Sequence, residues 1–448
     1  MKKIEKPSIQ FIGNSAIDVT GSCYKIRHNE HEFLLDCGLI QGLDIMSSYK
    51  ANREFMKKIK AKNVDCVVLS HIHIDHSGLI PYLVKQNKDI KIYVPTGSTK
   101  FLKLLWEDSA KIFISDCEKL SKKHHIKAST FYSLDDIENA IHNCIEVDFE
   151  RPINLFQDTI LTYYPAGHII NSAQIYLELK VGATVKTIGY TGDIGGYYPQ
   201  EYVDDRKPLP FVDILIGECT YSIPSRKNSK KDRPKDIEKI LNAIENFKKI
   251  LIPCFSLQRT QQIIKLLSDL KVDCKIYLDS PLAKKISSVW PEDILSNVTI
   301  IESIDESRSL QKASLHGIII SASGFMTGGR VLEHLKTILP DSNNVILFVG
   351  YCGDEGLAFD IKEGKKKKVL VDDVQVSNKA KIIELRSFSS HASYYELMQI
   401  YQEYRYNKLC LVHSHDKIEF AKTLKEKLAK NGISSKVITI NKDDKITI

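Results

Sequence analysis

The sequence predicts an α/β protein in which a layered α/β domain is interrupted by a second domain built on a parallel sheet. Three observations support this fold class. Apolar and polar residues alternate over residues 8–38, as in consecutive antiparallel strands. From residue 236 to about 375, helical segments alternate with short apolar strands, as in a parallel sheet. Residues 382–389 then predict a further strand, and residues 408–416 predict another strand that ends in a histidine loop.

The first part of the chain predicts strands and helices in turn. Residues 53–62 predict a helix, residues 64–70 predict a buried strand, and GLIPYLVKQ predicts the helix after the next loop. Segment 98–145 is mostly helical in pattern, and residues 160–193 predict strands separated by loops. The last helix, FAKTLKEKLAK, is expected to stop at Gly432.

The composition is that of an ordinary folded protein with more than one domain. A chain of 448 residues is too long for a single core, so we expect two or three domains. Charged residues make up 27% and hydrophobic residues 43%, which excludes the disordered class. The net charge of +7 favours a polyanionic partner, but alone it is weak support.

The cysteines and the hydropathy indicate a reducing, aqueous location. The ten cysteines are dispersed and form no CxxC pair, which is typical of reduced core residues. The first residues lack the apolar segment of a signal peptide, and the chain has no run of about 18 uncharged apolar residues. We therefore expect a cytoplasmic protein with no membrane partner.

The segment LSHIHIDHSG, residues 69–78, predicts a metal site. A lone histidine is usually a core or surface residue, but here His71, His73, Asp75 and His76 occupy six positions behind an apolar run. Imidazole and carboxylate are ligands that zinc prefers, and on an extended loop the alternate spacing directs residues 71, 73 and 75 to one side. His76 then faces a second ion.

Other polar residues stand at the ends of predicted strands. Taken alone, Asp36, His168 and Asp193 are each consistent with an ordinary turn, and Glu218 with a structural strand end. His391 is flanked by serines and is equally consistent with a neighbour of a helix cap. The Gly-rich turn SASGFMTGGR precedes a helix, where backbone N–H groups can hold a phosphate. The candidates in this turn are Ser323, Gly324, Gly328, Gly329 and Arg330.

The motif HxHxDH resembles that of the metallo-β-lactamase fold, and an inserted α/β domain resembles the β-CASP nucleases, which include RNase J and the pre-mRNA 3′-end endonuclease subunit. The stretches that carry the resemblance are DVTGSCY, DCGLIQG, ECTY, IYLDSPLA, SASGFMTGGRVLEHL, SFSSHAS and LVHSHD. The resemblance implies an αββα metallo-β-lactamase sandwich over residues 1–204 and 376–448. It implies a parallel α/β β-CASP domain over residues 205–375.

The resemblance also implies a centre with two zinc ions per chain. It assigns one ion to His71, His73 and His168, and the other to Asp75, His76 and His413. Asp193 would bridge the ions, and Asp36 would lie beneath the metal loop and hydrogen-bond to it. Two such ions activate water at neutral pH and stabilise the charge that develops on a phosphate.

The implied activity is hydrolysis of phosphodiester bonds of single-stranded RNA, in a cleft between the domains, to 5′-phosphate and 3′-hydroxyl ends. His391 matches the family's general acid, Glu218 the carboxylate that orients it, and Asp75 is counted with both as catalytic. A histidine at position 413 is typical of the RNA-type members. The Gly-rich turn would contact the RNA.

Several alternatives stay open at this point. The same ions can serve a small-molecule thioester or lactam hydrolase, and some related subunits bind RNA without catalysis. The sequence leaves open endonucleolytic against 5′-exonucleolytic action, RNA preference, the biological pathway and whether the chain forms a homodimer. It also leaves open the role of His415 and of the run from Lys365 to Lys368.

Overall fold

The computed structural model describes residues 6–224, 230–350 and 356–448. The described residues form two compact units. Unit 1 contains the residues up to 224 together with Ser390–Ile448, and unit 2 contains the described residues from 230 to Ser389. None of the described helices combines the length and the apolarity needed to cross a bilayer.

Unit 1 is built on two seven-stranded sheets. With strands numbered along the chain, the first sheet has the order β22-β1-β2-β3-β4-β5-β6. Its strands are β1 (Ser8–Phe11), β2 (Tyr24–His28), β3 (His31–Leu35), β4 (Cys66–Val68), β5 (Lys91–Pro95), β6 (Cys144–Val147) and β22 (Lys445–Thr447). Strands β1 to β3 are antiparallel, as expected from the alternation in residues 8–38, and β3 to β6 are parallel.

The second sheet has the order β21-β20-β11-β10-β9-β8-β7. Its strands are β7 (Ile153–Phe156), β8 (Thr159–Pro165), β9 (Ala173–Val181), β10 (Thr184–Tyr190), β11 (Val212–Glu218), β20 (Tyr406–Val412) and β21 (Lys436–Thr439). The helices of unit 1 are α1 (Ile45–Ile59), α2 (Ile74–Ser77), α3 (Ile80–Gln86), α4 (Thr99–His124), α5 (Leu134–His142), α12 (Tyr394–Glu403) and α13 (Lys417–Lys430).

The two sheets of unit 1 pack face to face. Buried side chains of both sheets, including Phe33, Tyr163 and Ile188, form one apolar cluster. The opposite face of the second sheet packs on α12 and α13, where Leu397 and Phe420 are fully buried. Burying apolar residues on both faces of a sheet requires this layered arrangement. The predicted αββα sandwich is therefore confirmed.

Unit 2 is built on a six-stranded parallel sheet with the order β14-β13-β15-β12-β16-β19, as predicted from its alternating pattern. Its strands are β12 (Lys249–Pro253), β13 (Lys275–Asp279), β14 (Thr299–Ile300), β15 (Gly317–Ser321), β16 (Val345–Phe348) and β19 (Lys381–Glu384), with a hairpin of β17 (Lys368–Val371) and β18 (Val374–Ser377). Its helices are α6 (Arg233–Asn246), α7 (Arg259–Asp269), α8 (Pro281–Ser288), α9 (Ile304–Lys312), α10 (Val331–Ile338) and α11 (Leu357–Glu363).

The unit boundaries differ from those expected at residues 204 and 375. Strand β11 pairs in parallel with β10 and β20 and so belongs to unit 1. Strand β19 pairs in parallel with β16 and so belongs to unit 2. Composition alone does not distinguish these strands, because a buried parallel strand is a short apolar run in either sheet.

Candidate metal centre

The histidine-rich loop follows β4 and changes conformation partway. Residues 69–73 are irregular, and residues 74–77 form the helical turn α2. The alternate spacing therefore brings His71 and His73 together, whereas the turn directs Asp75 toward His76 rather than toward the first two histidines. His71 and His76 are buried.

The first cluster consists of His71, His73, His168 and Asp193. The Nδ1 atom of His73 lies 3.1 Å from Nε2 of His71 and 3.2 Å from Nε2 of His168. The Oδ2 atom of Asp193 lies 3.6 Å from the Nε2 atoms of both His71 and His168. A tetrahedral zinc with ligands at about 2.0–2.1 Å separates them by roughly 3.3 Å, so this set fits such an ion.

The second cluster consists of Asp75, His76, His413 and the same Asp193. The Oδ1 atom of Asp193 lies 3.4 Å from Nε2 of His76 and 3.7 Å from Nε2 of His413. The Oδ2 atom of Asp75 lies 3.8 Å from Nε2 of His413. Asp193 therefore turns one carboxylate oxygen toward each cluster.

Two of the atoms that face this centre lack a hydrogen-bond partner. Oδ1 of Asp193 and Nε2 of His413 are buried without a hydrogen bond. Leaving buried polar atoms unpaired costs free energy, about 1–3 kcal/mol each, and a bound cation would remove that cost. Together with the nitrogen and oxygen donor set, these atoms indicate that the residues fit a metal ion.

The electrostatics favour neutral imidazoles in the first cluster. Burial lowers the pKa of His71 and His168 well below the usual value and that of His73 to about 4. Burial also opposes protonation of His76, but the carboxylates of Asp193 and neighbouring aspartates outweigh it and raise that pKa. Neutral imidazole is the form that binds a metal, so the first cluster is ready for one.

Asp36 lies beneath the histidine-rich loop and accepts four hydrogen bonds. Its carboxylate accepts from the backbone N–H and the hydroxyl of Ser70, both at 2.7 Å, and from the hydroxyl of Tyr190 at 2.7 Å. It also lies 2.7 Å from Nδ1 of His76, which fixes that ring with Nε2 toward Asp193. Ser70 and Tyr190 were not foreseen, although both stand at strand ends beside predicted site residues.

His391 and Glu218 form a pair next to the two clusters. The Nδ1 atom of His391 lies 3.0 Å from Oε1 of Glu218, and its Nε2 atom lies 3.9 Å from Oδ2 of Asp193. Burial lowers the pKa of His391, but the carboxylates of Glu218 and Asp193 outweigh burial and raise it to about 9. Without a metal ion, the pair therefore favours the imidazolium form of His391.

Thr220 connects Glu218 with the second cluster. Its backbone N–H donates to Oε2 of Glu218 at 3.0 Å, and its hydroxyl lies 2.9 Å from Nδ1 of His413. When Nδ1 carries the proton, Nε2 of His413 presents its lone pair to the cluster. The sequence offered one signal for Thr220, namely its place two residues after a strand-ending acid.

Two family models match the chain. A model of the metallo-beta-lactamase superfamily matches residues 16–151, which include the histidine-rich loop. A model of the Beta-Casp domain matches residues 260–361, which fall within the span of unit 2. The chain therefore combines a metallo-beta-lactamase domain with a Beta-Casp domain. Its metallo-beta-lactamase domain and its similarity to ribonucleases indicate a metal-dependent hydrolase.

Proteins of known name resemble this β-CASP protein over most of its length. It is 28% identical to "Probable RNase MJ4" of Methanocaldococcus jannaschii, over 90% of this chain and 92% of that protein. It is 26% identical to "Ribonuclease TTHA0252" of Thermus thermophilus, over 86% of this chain and 88% of that protein. It is 24% identical to "Integrator complex subunit 11" of Danio rerio, over 90% of this chain and 69% of that protein.

A solved structure supports the fold alone. A crystal structure of a protein of unknown function from Enterococcus faecalis V583 superposes with a TM-score of 0.59 at 13% identity. The likeness covers 99% of this chain and 100% of that one.

In unit 2 of this β-CASP protein, Arg330 donates hydrogen bonds to acceptors of the protein itself. Its guanidinium donates to Oδ1 of Asp279 at 2.5 Å and to the carbonyls of Ile301 at 3.1 Å and Glu302 at 3.0 Å. His334 lies 2.7 Å from the other oxygen of the same carboxylate. These contacts hold the guanidinium against acceptors of the protein itself, and the assignment of Arg330 to RNA binding stays a prediction.

The rest of the Gly-rich turn is held by contacts between its own residues. The hydroxyl of Ser323 accepts from the N–H of Thr327 at 3.2 Å, and Gly329 has a φ of +83° with Ala322 packed against it. An added Cβ on Gly328 would meet no atom within 4 Å. The side of the turn at Gly328 is therefore open to a ligand.

The remaining polar candidates of the β-CASP protein are surface residues. His415 is 64% exposed, and its Nε2 atom lies 2.9 Å from Oδ1 of Asp18. Lys365 and Lys366 are exposed and pair with Glu363 and Asp360 of their own segment. These contacts favour solvated surface positions over a role at the clusters.

Proposed function

We propose that the protein is a zinc-dependent ribonuclease that hydrolyses phosphodiester bonds of single-stranded RNA. The observation that carries the proposal is the convergence of seven histidine and aspartate side chains on two adjoining clusters, with the His391–Glu218 pair beside them. The names of two relatives, a probable RNase and a ribonuclease, and the net charge of +7 support RNA as the substrate.

We assign two zinc ions per chain to the two clusters. His71, His73 and His168 would hold one, Asp75, His76 and His413 the other, and Asp193 would contact both. When bound, the pair of ions activates water at neutral pH and neutralises charge on the phosphate. Asp36 and Thr220 keep the rings of His76 and His413 oriented for this.

The proposed role of His391 is to protonate the leaving 3′-oxygen of the ribose. Its Nδ1 atom faces Glu218, so the proton that it gives is the one on Nε2, which faces the clusters. Glu218 stabilises the imidazolium and fixes the ring. When water adds to the phosphorus and the P–O3′ bond breaks, transfer of this proton to the departing oxygen gives a 3′-hydroxyl end and a 5′-phosphate end.

In unit 2, we propose that the turn of Ser323, Gly324, Gly328 and Gly329 contacts the RNA backbone through its N–H groups. Arg330, which directly follows this turn, would hold it in place through its hydrogen bond to Asp279. We propose endonucleolytic cleavage with possible 5′-exonucleolytic digestion, in a cytoplasmic protein that can form a homodimer.

The central experiment compares two substrates that differ in their leaving group. RNA needs a proton on its leaving oxygen, whereas bis(p-nitrophenyl) phosphate releases a stable phenolate that does not. His391→Ala should retain its zinc and slow RNA cleavage by about 10²-fold or more, with a much smaller effect on the aryl diester. Equal losses on both substrates would remove the proton-donor role.

Product analysis separates the remaining alternatives. RNA labelled at its 5′ end yields a ladder if cuts are internal and mononucleotides if digestion starts at the end. Turnover of thioesters or lactams without RNA cleavage would favour a small-molecule hydrolase. A protein that binds RNA but no zinc would be a non-catalytic subunit, which the complete set of donors argues against.

A further inference from the structure

Gln200 touches the two segments that must act together in the proposed reaction. The residue is only 8% exposed and belongs to the segment that connects β10 to β11. The Nε2 atom donates to the carbonyl of Gly167 at 2.8 Å and approaches that of His168 at 3.4 Å. The same atom donates to the carbonyl of Ser390 at 3.2 Å. One amide thus joins the loop of a cluster histidine to the residue before His391.

A backbone contact holds the other side of His391. The N–H of Ala392 donates to the carbonyl of Ile194 at 2.7 Å, and the N–H of Ile194 donates to Oε1 of Glu218 at 2.9 Å. The residue that precedes His391 is thus fixed to the loop of His168, and the residue that follows it is fixed to the loop of Asp193. The ring centroids of His168 and His391 lie 4.4 Å apart.

We infer that Gln200 is a positioning residue that sets the distance between His391 and the metal clusters. The inference rests on the proposed function, because it concerns the proton that His391 gives to the leaving oxygen. Proton transfer needs the two heavy atoms within hydrogen-bond reach, and a displacement of about 1 Å can slow a reaction by about 10²-fold. Without the amide donor, the hydrogen bonds by which Gln200 joins the carbonyl of Ser390 to the loop of His168 are lost.

The test uses Gln200→Met, which keeps the length of the side chain but has no donor, in the full-length zinc-loaded protein. RNA cleavage should fall at least about tenfold further than turnover of bis(p-nitrophenyl) phosphate, since only RNA needs the proton. The loss should be in kcat rather than KM. A general structural defect would slow both substrates alike, and that result would overturn the inference.

Gln174→Met is the matched control. Gln174 is also buried, and its Nε2 atom donates to two backbone carbonyls, those of Pro165 and Lys207, neither of which belongs to the segment around Ser390. Its variant should lower the thermal midpoint while the ratio of the two rates stays within about twofold of the original. If Gln200→Met fails to fold, Gln200→Leu takes its place in the same comparison.

A double variant provides the second readout. If Gln200 acts through His391, Gln200→Met should slow RNA cleavage no further in a His391→Ala background, within about twofold. Additive losses would overturn the inference while the ribonuclease proposal stands. A zinc-loaded protein that cleaved neither substrate would remove the proposed function itself, and the inference would fall with it.

Discussion

The Oε1 atom of Glu218 lies 3.0 Å from Nδ1 of His391 and also accepts the N–H of Ile194 at 2.9 Å. The carboxylate is 1% exposed, so little water competes for it. The charge of Glu218 is the largest of the effects that raise the pKa of His391, so that pKa is sensitive to changes at position 218.

Glu218→Gln is expected to lower the pKa of His391 from about 9 in the protein stripped of metal. A raised pKa means that the imidazolium stabilises the fold fully below about pH 6.5 and that this contribution is lost as the pH rises through 9. The variant should therefore be less stable than the original protein near pH 6, and the difference should shrink above pH 9. Histidine NMR titration and urea unfolding at both pH values measure this; a pH-independent difference would contradict it.

Asp36→Asn should weaken zinc binding by about 10- to 100-fold, because it removes the carboxylate that orients His76. Competition with a chromophoric chelator measures the affinity. Tyr190→Phe is the control, since it deletes only one of the hydrogen bonds to Asp36. Equal effects of the two variants would mean that the charge of Asp36 is unimportant.

Asp193 contributes to both clusters, whereas His413 contributes to one. Asp193→Ala is therefore expected to lower the content of both zinc ions, and His413→Ala the content of one. Elemental analysis of folded, dialysed protein gives the ratios. Retention of both ions in Asp193→Ala would rule out a shared carboxylate.

Gly38 has no room for a side chain. An added Cβ would lie 1.6 Å from the carbonyl oxygen of Asp75, so Gly38→Ala must displace the histidine-rich loop. We expect a loss of about 1–3 kcal/mol in the free energy of unfolding together with weaker zinc binding. Gly350→Ala is the control, because its Cβ would meet no atom of the described residues within 4 Å. Calorimetry with and without zinc compares them.

Asp279 is fully buried and pairs with both Arg330 and His334. Asp279→Ala should destabilise unit 2 by about 3–5 kcal/mol, because it leaves a guanidinium without its charge partner. Arg308→Ala removes a pair on an exposed helix surface and should change stability little. Denaturant unfolding followed by a probe in unit 2 distinguishes the two; a small effect of Asp279→Ala would indicate that water reaches Arg330.

The sequence by itself determined the fold class and the core of the candidate metal centre. The alternation of residues 8–38 and the helix–strand rhythm after residue 236 predicted the antiparallel strands and the parallel sheet, because burial imposes a period on each element. Four of the clustered side chains stand within residues 71–76, so their proximity is local. The resemblance placed the three distant members, which the structure brings to the same point.

The tertiary structure decided which hydrogen bonds connect these residues to the rest of the protein. Gln200 meets the carbonyl of a residue 190 positions away, and Thr220 meets a histidine 193 positions away. Arg330, a predicted RNA contact, donates to the carboxylate of Asp279, 51 positions away. Contacts of this kind depend on which segments of the chain meet in space. A hydrogen bond between distant residues produces no periodic pattern in the sequence.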